Sequence, residues 1–194
     1  MRIGIDIDGV LTDIEKWQLD VGSKYFYEKY GKALINPDSY DTKEMFGIEE
    51  NLDNGFWEKH LFEYATKEPA RKFAGEVISK LKQDGNEIYI ITARFLANID
   101  NDLGEKMRNI VKKWLEQYKI YYDKIIFSPD DKVEVCKENK IDIMIEDSPK
   151  NIMQISSHIP VICYNARYNQ KCAGENIIRC HSWYDIYEKI SEMR

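Results

Sequence analysis

The stretch Asp6-Ile7-Asp8-Gly9-Val10-Leu11-Thr12-Asp13 completes an alternation of apolar residues at Ile3, Ile5 and Ile7. An apolar residue at every second position is typical of a β-strand. Two carboxylates and a glycine at the end of such a strand, followed by a helical pattern, predict a strand-to-helix turn of an α/β sheet. Ligands bind at the carboxyl ends of the strands in sheets of this kind. The stretch is therefore a candidate functional site, although Asp-x-Asp-Gly is also a good sequence for a plain turn.

From residue 69 onward the patterns of strands and helices alternate. Strands are predicted at residues 87–92, 124–127, 141–145, 160–164 and 176–180. Helices are predicted between Pro69 and Asp84, with Phe73 on the apolar face, at 103–118, at 131–139 and from Ser182 onward. This alternation indicates an α/β fold with a parallel sheet and helices on both of its faces.

The segment between the first strand and Pro69 breaks the alternation. Thr12 and Glu15 fit a capping box that starts a helix ending at Gly31, and a short helix is predicted at 56–64. Residues 32–55 are expected to be irregular, with Gly47 and Asn54-Gly55 as turn residues. The whole segment is too long for a plain loop. We therefore expect residues 14–69 to form a small helical cap, inserted into a core made of residues 1–13 and 70–194.

Aromatic residues are concentrated in this expected cap, which holds 11 of the 24 in the chain. They are Trp17, Tyr25, Phe26, Tyr27, Tyr30, Tyr40, Phe46, Phe56, Trp57, Phe62 and Tyr64. Most are expected to form the cap's own small core. A few on its inner face could stack on a flat group of a substrate.

Composition narrows the class of protein. The 194 residues are 43% hydrophobic and 32% charged, which is typical of a globular protein. No apolar run approaches the roughly 18 residues needed to span a membrane, and the first residues lack a secretory-signal pattern, so we expect a cytoplasmic protein without a membrane partner. The net charge of −6 argues against a nucleic-acid polymer as partner. The four cysteines fit no zinc template, and nothing in the sequence indicates the oligomeric state.

Three further motifs occur in a fixed order after the first. Ile90-Ile91-Thr92-Ala93-Arg94 follows the second strand, Asp131-Lys132 opens a later helix, and Ile145-Glu146-Asp147-Ser148-Pro149 follows another strand. The four motifs together resemble the haloacid dehalogenase-like hydrolase superfamily, most members of which are phosphatases. The resemblance spans about residues 1–160 and implies a Rossmann-like core.

The resemblance also implies a catalytic apparatus. Asp6 would attack phosphorus as the nucleophile, and Asp8 would protonate the leaving oxygen and then activate water. Mg²⁺ would be held by the Asp6 carboxylate, the Asp8 backbone carbonyl and the Asp147 carboxylate. Three further residues would bind the phosphoryl oxygens: Thr92, Ala93 and Lys132.

Single residues of these motifs also have ordinary structural interpretations. Thr92 could be a turn or cap residue, and Lys132 a surface lysine, although a cation is slightly unfavourable at a helix start. In the superfamily the position of Glu146-Asp147 usually holds two aspartates. Glu146 would not bind the metal directly; it would orient a water or pair with Lys132. Arg94 could contact phosphate or only cover the edge of the pocket.

Within the superfamily, the chain looks most like the 5′(3′)-deoxyribonucleotidases and their bacterial nucleotidase relatives. This resemblance rests on three stretches of the sequence: the first motif at residues 6–13, Gly55-Phe56-Trp57 and Glu146-Asp147-Ser148-Pro149. Family members sandwich the nucleobase with aromatic cap residues, which makes Phe56 and Trp57 candidates for substrate contact. The family typically has Thr-Ser-Pro where this chain has Thr92-Ala93-Arg94, so the substrate preference is open.

Three functions remain open at this stage. The first is a magnesium-dependent nucleotidase that acts on (deoxy)nucleoside monophosphates through an aspartyl-phosphate intermediate. The second is a phosphatase of a sugar phosphate or another small metabolite, which would use the same catalytic residues with a different cap. The third is a noncatalytic binding module, which is disfavoured because the full set of candidate catalytic residues is present.

Overall fold

A six-stranded parallel sheet organises the part of the chain that the computed structural model describes, residues 1–49, 55–128 and 131–193. The strand order is β3-β2-β1-β4-β5-β6. The strands are β1 (Arg2–Ile5), β2 (Glu87–Thr92), β3 (Lys124–Phe127), β4 (Ile143–Glu146), β5 (Val161–Tyr164) and β6 (Ile177–Cys180). The sequence-based prediction of an α/β fold with a parallel sheet is confirmed.

Helices cover both faces of this sheet. They are α1 (Ile14–Tyr30), α2 (Thr42–Phe46), α3 (Phe56–Lys67), α4 (Ala74–Gln83), α5 (Asp102–Gln117), α6 (Val133–Glu138), α7 (Pro149–Ile155) and α8 (Trp183–Glu192). A short 3₁₀ turn, Arg167–Asn169, follows β5. None of the helices in the described ranges is long and apolar enough to cross a membrane.

The side chains of β2 show how the two faces are filled. Ile88 and Ile90 belong to the larger apolar cluster, which also contains buried residues of α4, α5 and α8. Their neighbours Tyr89 and Ile91 belong to a second cluster, which contains buried residues of α6 and α7. Successive residues of a strand point to opposite faces. The near-continuous apolar run of this strand therefore follows from its burial on both sides.

The chain changes direction across the sheet at β1. It runs from β1 outward through β2 to β3, and then crosses back to place β4 on the other side of β1. Ile5, the last residue of β1, pairs with Ile90 on one side and with Ile145 on the other. Such a switch point leaves a crevice at the carboxyl ends of the strands, where ligands bind.

The segment that contains α1, α2 and α3, called the insertion, has an apolar cluster of its own. Tyr25 and Phe26 of α1, Met45 and Phe46 of α2, and Phe56 of α3 are buried together. The other end of α3 packs on the main core, since Leu61 and Ala65 belong to the larger cluster.

Arg71 ties together the two points at which the insertion joins the core. Its backbone N–H donates to the carbonyl of Leu11 at 2.7 Å, and its Nε donates to the carbonyl of Thr12 at 3.1 Å. Its Nη1 donates to Asp13 Oδ2 at 3.2 Å. The outgoing and returning chain segments therefore lie side by side.

The start of α1 differs from the prediction, because Thr12 and Glu15 do not form a capping box. Asp13 caps the helix, and its carboxylate accepts a backbone N–H of the first turn. The Thr12 hydroxyl points inward and lies 2.6 Å from the hydroxyl of Tyr64. Glu15 accepts hydrogen bonds from the backbone and the guanidinium of Arg167. Both predicted capping residues are thus engaged in tertiary contacts.

Two other predictions need correction. Phe73 lies before α4 rather than on its buried face and is 56% exposed. Its backbone is left-handed (φ 66°), so the chain turns there, and its ring packs against Tyr184. Residues 32–49 are not wholly irregular, because Asp41 and Gly47 cap α2 at its two ends. The turn predicted at Asn54-Gly55 falls partly outside the described residues.

Candidate active site

Three carboxylates meet where β1 and β4 end. Asp6 follows β1 directly, Glu146 is the last residue of β4, and Asp147 comes next. All three are buried, and they can present oxygens that lie within 4.8 Å of one another. The parallel pairing of β1 with β4 produces this convergence, because it brings the carboxyl ends of the two strands to one edge.

Each carboxylate oxygen of Glu146 accepts two hydrogen bonds. Its Oε1 accepts the backbone N–H groups of Asp147 and Ser148, both at 3.1 Å. Its Oε2 accepts from Lys132 Nζ at 2.8 Å and from Asn151 Nδ2 at 3.3 Å. A fully buried carboxylate with four donors is placed to orient its neighbours rather than to bind a ligand itself.

Lys132 lies inside the site and not on the surface. It caps α6, its side chain is only 1% exposed, and its Nζ lies 2.9 Å from Asp6 Oδ1. Lys132 and Asp6 therefore form a buried ion pair. Burial alone would lower the pKa of Lys132, but the charges of Asp6 and Glu146 raise it above its ordinary value.

Asp147 is held by two residues that follow β5. The hydroxyl of Tyr168 donates to Asp147 Oδ2, and Asn169 Nδ2 donates to the Asp147 backbone carbonyl at 2.9 Å. Gly9 passes directly over the same carboxylate, because a Cβ at this position would lie 1.9 Å from Asp147 Oδ2. The glycine also has φ +83°, which side chains rarely adopt. Only glycine fits here.

Asp8 faces a different partner. Arg94 Nε donates to Asp8 Oδ2 at 3.2 Å, and Arg94 Nη2 donates to Asp8 Oδ1, so the guanidinium grips both oxygens. The guanidinium carbon lies 5.2 Å from the ring centre of Tyr64, which belongs to α3 of the insertion. Burial alone would lower the pKa of Arg94, but the charge of Asp8 raises it. Arg94, for which the sequence allows either phosphate contact or a place at the pocket edge, thus pairs with Asp8 and lines the pocket.

The Thr92-Ala93 segment completes the same edge. Thr92 ends β2 and is fully buried, and its hydroxyl oxygen accepts the backbone N–H of Arg94 at 3.2 Å. This bond leaves the hydroxyl proton available to an acceptor in the site. Ala93 contributes to the wall of the adjoining pocket.

The charges of the site are unbalanced. When its four carboxylates are ionised, they exceed the two cations Lys132 and Arg94 by two negative charges. Burial raises the pKa of Asp6 and of Asp147, and Glu146 adds to the effect while Lys132 opposes it. The clustered carboxylate oxygens and the excess of two negative charges fit an oxygen-liganded divalent cation such as Mg²⁺.

A pocket of about 490 Å³ opens beside Asp8 between the sheet edge and the insertion. The insertion supplies most of its aromatic wall, and the loop after β2 supplies Phe95, which is 61% exposed. Of the two aromatic residues predicted to contact substrate, Phe56 is fully buried in the cluster of the insertion, whereas Trp57 is only partly buried. Both line the pocket.

The model of one protein family matches residues 1–194, the full length of the chain. It describes the 5′-nucleotidase, deoxy (pyrimidine), cytosolic type C protein. The chain belongs to this nucleotidase family. This confirms the resemblance drawn from the four motifs and makes the protein a phosphoric monoester hydrolase.

Individual relatives agree with the family. A nucleotidase from Clostridium acetobutylicum is 29% identical over 189 residues, which cover 96% of this chain and 92% of the relative. A solved protein described as a predicted phosphatase from the same species has a TM-score of 0.65 at 20% identity, with 98% of each chain covered. D,D-heptose 1,7-bisphosphate phosphatase from B. bronchiseptica, solved with magnesium and phosphate, has a TM-score of 0.56 at 14% identity, with coverage of 100% and 99%.

Several side chains of this nucleotidase-family site were not identified from the sequence. Tyr64 was counted among the aromatic residues of the cap but not placed beside Asp8. Phe95 directly follows the Thr-Ala-Arg motif, and that adjacency was a usable signal. Tyr168 lies in a 3₁₀ turn after β5, where no motif marks it. Its hydrogen bond to Asp147 depends entirely on the fold.

Proposed function

We propose that the protein is a magnesium-dependent nucleotidase that hydrolyses nucleoside monophosphates through a phosphorylated Asp6. The proposal rests on one observation above all. Two aspartates, two residues apart, lie in opposite surroundings at one sheet edge: Asp6 is buried beside Lys132, and Asp8 faces the aromatic pocket. A cation beside Asp6 suits a nucleophile that attacks a phosphate, and contact with the pocket suits the proton transfer assigned to Asp8.

The first chemical step would be attack of the Asp6 carboxylate on phosphorus. The bond between phosphorus and the ester oxygen breaks, and that oxygen takes a proton from the carboxyl group of Asp8. Thr92, the Ala93 amide and Lys132 would bind the phosphoryl oxygens, and the charge of Lys132 would offset the negative charge that accumulates there. The products of this step are a free nucleoside and an aspartyl phosphate on Asp6.

The second step would return the enzyme to its starting state. The Asp8 carboxylate takes a proton from water, and the water oxygen attacks phosphorus as the bond to Asp6 breaks. Inorganic phosphate leaves, and Asp8 holds the proton for the next cycle. Bound Mg²⁺ would be held by the Asp6 and Asp147 carboxylates and the Asp8 carbonyl, and would cancel phosphate charge. Glu146 would orient these groups from behind.

The nucleotide is favoured as the substrate by the family and by the pocket. Residues 14–69 would act as a cap whose aromatic face covers a flat base, with Trp57 as the better-placed of the two predicted contacts. The pocket volume of about 490 Å³ is in the range of small-ligand sites. A sugar phosphate would use the same carboxylates but has no flat base to stack on the aromatic wall.

The test is a panel of phosphate esters assayed with and without Mg²⁺. Nucleoside monophosphates, sugar phosphates and a short alkyl phosphate should all require the metal, and the nucleotides should have the highest kcat/KM. Equal kcat/KM for sugar phosphates would contradict the nucleotidase assignment and leave a general phosphatase. A folded protein that binds nucleotides without turnover would instead be a binding module.

A further inference from the structure

The contact between Arg94 and Asp8 is an ionic pair of the site that the proposed mechanism does not use. Both Asp8 oxygens accept from one guanidinium, a two-pronged geometry that fixes the plane of the carboxylate as well as its position. The side chain of Arg94 is 2% exposed, whereas that of Asp8 is 22% exposed. Both residues line the pocket, and Asp8 is the more exposed of the two.

Arg94 is itself held on three sides. Its backbone N–H donates to Thr92 Oγ1, and its carbonyl accepts the N–H of Ala97 at 3.0 Å. Its guanidinium faces the ring of Tyr64. A guanidinium fixed in this way keeps the carboxylate that it grips from rotating.

We propose that Arg94 is a positioning residue that holds the Asp8 carboxylate in the orientation in which it takes a proton from the attacking water. The inference rests on the proposed function, since it assigns a role within the second step. Both Asp8 oxygens accept from Arg94, and an ionised carboxylate is the form that can take a proton from water. Each keeps a second lone pair, and those on the exposed side remain open to water in the pocket.

The alternative role for Arg94 is direct binding of phosphate. That role would require the guanidinium to leave Asp8 and turn toward the phosphoryl group. The two roles differ in what they affect: a phosphate ligand contributes to substrate binding and to the first step, whereas a support for Asp8 contributes to kcat through proton transfer.

The experiment uses p-nitrophenyl phosphate, whose leaving group departs without a proton. In Arg94→Ala, nitrophenolate should appear in a burst of about one equivalent per site at the wild-type rate, because attack by Asp6 does not need Asp8. The steady-state rate should then be slower than that of the wild type by on the order of 10- to 100-fold, the cost of a misplaced catalytic group. The inhibition constant of inorganic phosphate should stay unchanged.

Two variants control this experiment. Arg94→Lys keeps the positive charge but cannot grip both oxygens, so it should give the same burst with a smaller loss, and it carries the test if the alanine variant does not fold. Arg108→Ala removes hydrogen bonds to the carbonyls of Ala97 and Ile99 in the same loop without touching Asp8. It should keep the wild-type time course. In an Asp8→Asn background, Arg94→Ala should cause no further loss.

Several outcomes would overturn the role. A burst that slows as much as the steady state, or a raised phosphate inhibition constant, would make Arg94 a phosphate ligand. An unchanged time course would give it no part in the reaction. Failure of the underlying function is distinct: the wild type would then release no nitrophenolate, or Asp6→Asn would release as much as the wild type.

Discussion

Asp6 and Asp8 are separated by one residue and share one loop, yet they belong to different halves of the site. Asp6 lies in a cluster with Lys132, Glu146 and Asp147, in which every side chain is at least nine-tenths buried. Asp8 is partly exposed and is held by an arginine at the edge of a pocket. Two carboxylates of one type thus have different surroundings, and the proposed mechanism gives them different roles on that ground.

The two halves also differ in which elements build them. The buried half comes entirely from the sheet edge and from loops of the core. The open half includes Tyr64 from the insertion, whose hydroxyl also contacts Thr12 beside the first motif. We infer that the buried half determines whether a phosphoryl group is transferred, and that the open half determines which molecule delivers it. The following predictions test this division in order of decreasing effect.

The largest effect is expected for Asp6→Asn. The change keeps size and packing but removes the nucleophile, so kcat should fall by about 10⁴-fold or more for every substrate. Circular dichroism and thermal melting should show a folded protein. Substantial turnover by the folded variant would contradict covalent catalysis by Asp6.

Asp8→Asn and Asp147→Asn should separate the halves. The first should lower kcat by about 10²- to 10⁴-fold through loss of proton transfer, with magnesium affinity preserved because the backbone carbonyl stays. The second should weaken magnesium binding, because a charged ligand is lost. Calorimetric titration of Mg²⁺ into both variants measures this, and an equal loss of affinity would remove the distinction.

Phe56→Ala and Trp57→Ala should differ although the residues are adjacent. Phe56 is fully buried among aromatic rings, so its truncation should cost about 3–5 kcal/mol of stability and affect all substrates alike. Trp57 should cost about 1–3 kcal/mol of binding for nucleotides, the scale of base–aromatic stacking. The control is an alkyl phosphate, whose KM should hardly change in Trp57→Ala. A uniform loss across substrates would assign Trp57 to the core of the insertion.

The smallest effect concerns the metal-free protein. Burial raises the pKa of Asp6 from an ordinary 3.8 to about 8, with Lys132 opposing. The folded state therefore binds more protons than the unfolded state, and this contribution to stability, complete below about pH 4, is lost as pH rises toward 8. In EDTA, Asp6→Asn should gain a few degrees in Tm relative to the wild type between pH 5 and pH 8. Mg²⁺ should stabilise the wild type at pH 8. A difference in Tm between the two proteins that does not change with pH would contradict the raised pKa of Asp6.

The sequence predicted the core better than the insertion. In the core, residues of one strand carry a period of two or a continuous apolar run, and parallel pairing then places their carboxyl ends together. These two features predicted that Asp6, Thr92 and Asp147 lie at one edge of the sheet. It could not supply the Arg94–Asp8 pair, because the partners are 86 residues apart and the contact depends on side-chain direction.

The predictions that were wrong concern residues whose local sequence pattern fits a helix but whose side chain or backbone is used in a long-range contact or a turn. Thr12 and Glu15 match a capping box by spacing, but each side chain is engaged by a distant residue. Phe73 fits the helical period, yet a left-handed backbone removes it from the helix. Short patterns describe what a segment can do alone, and long-range contacts decide which option is used.

The hydrogen bonds of Arg71 bring the two ends of the insertion together at the edge of the sheet. Between these ends, Leu61 and Ala65 of α3 also pack on the main core. Segments joined to a host through neighbouring ends are exchanged with little cost to the host fold. A different set of helices between residues 13 and 70 would offer a new selectivity on the same reaction centre, as long as it also covered the part of the core on which α3 packs.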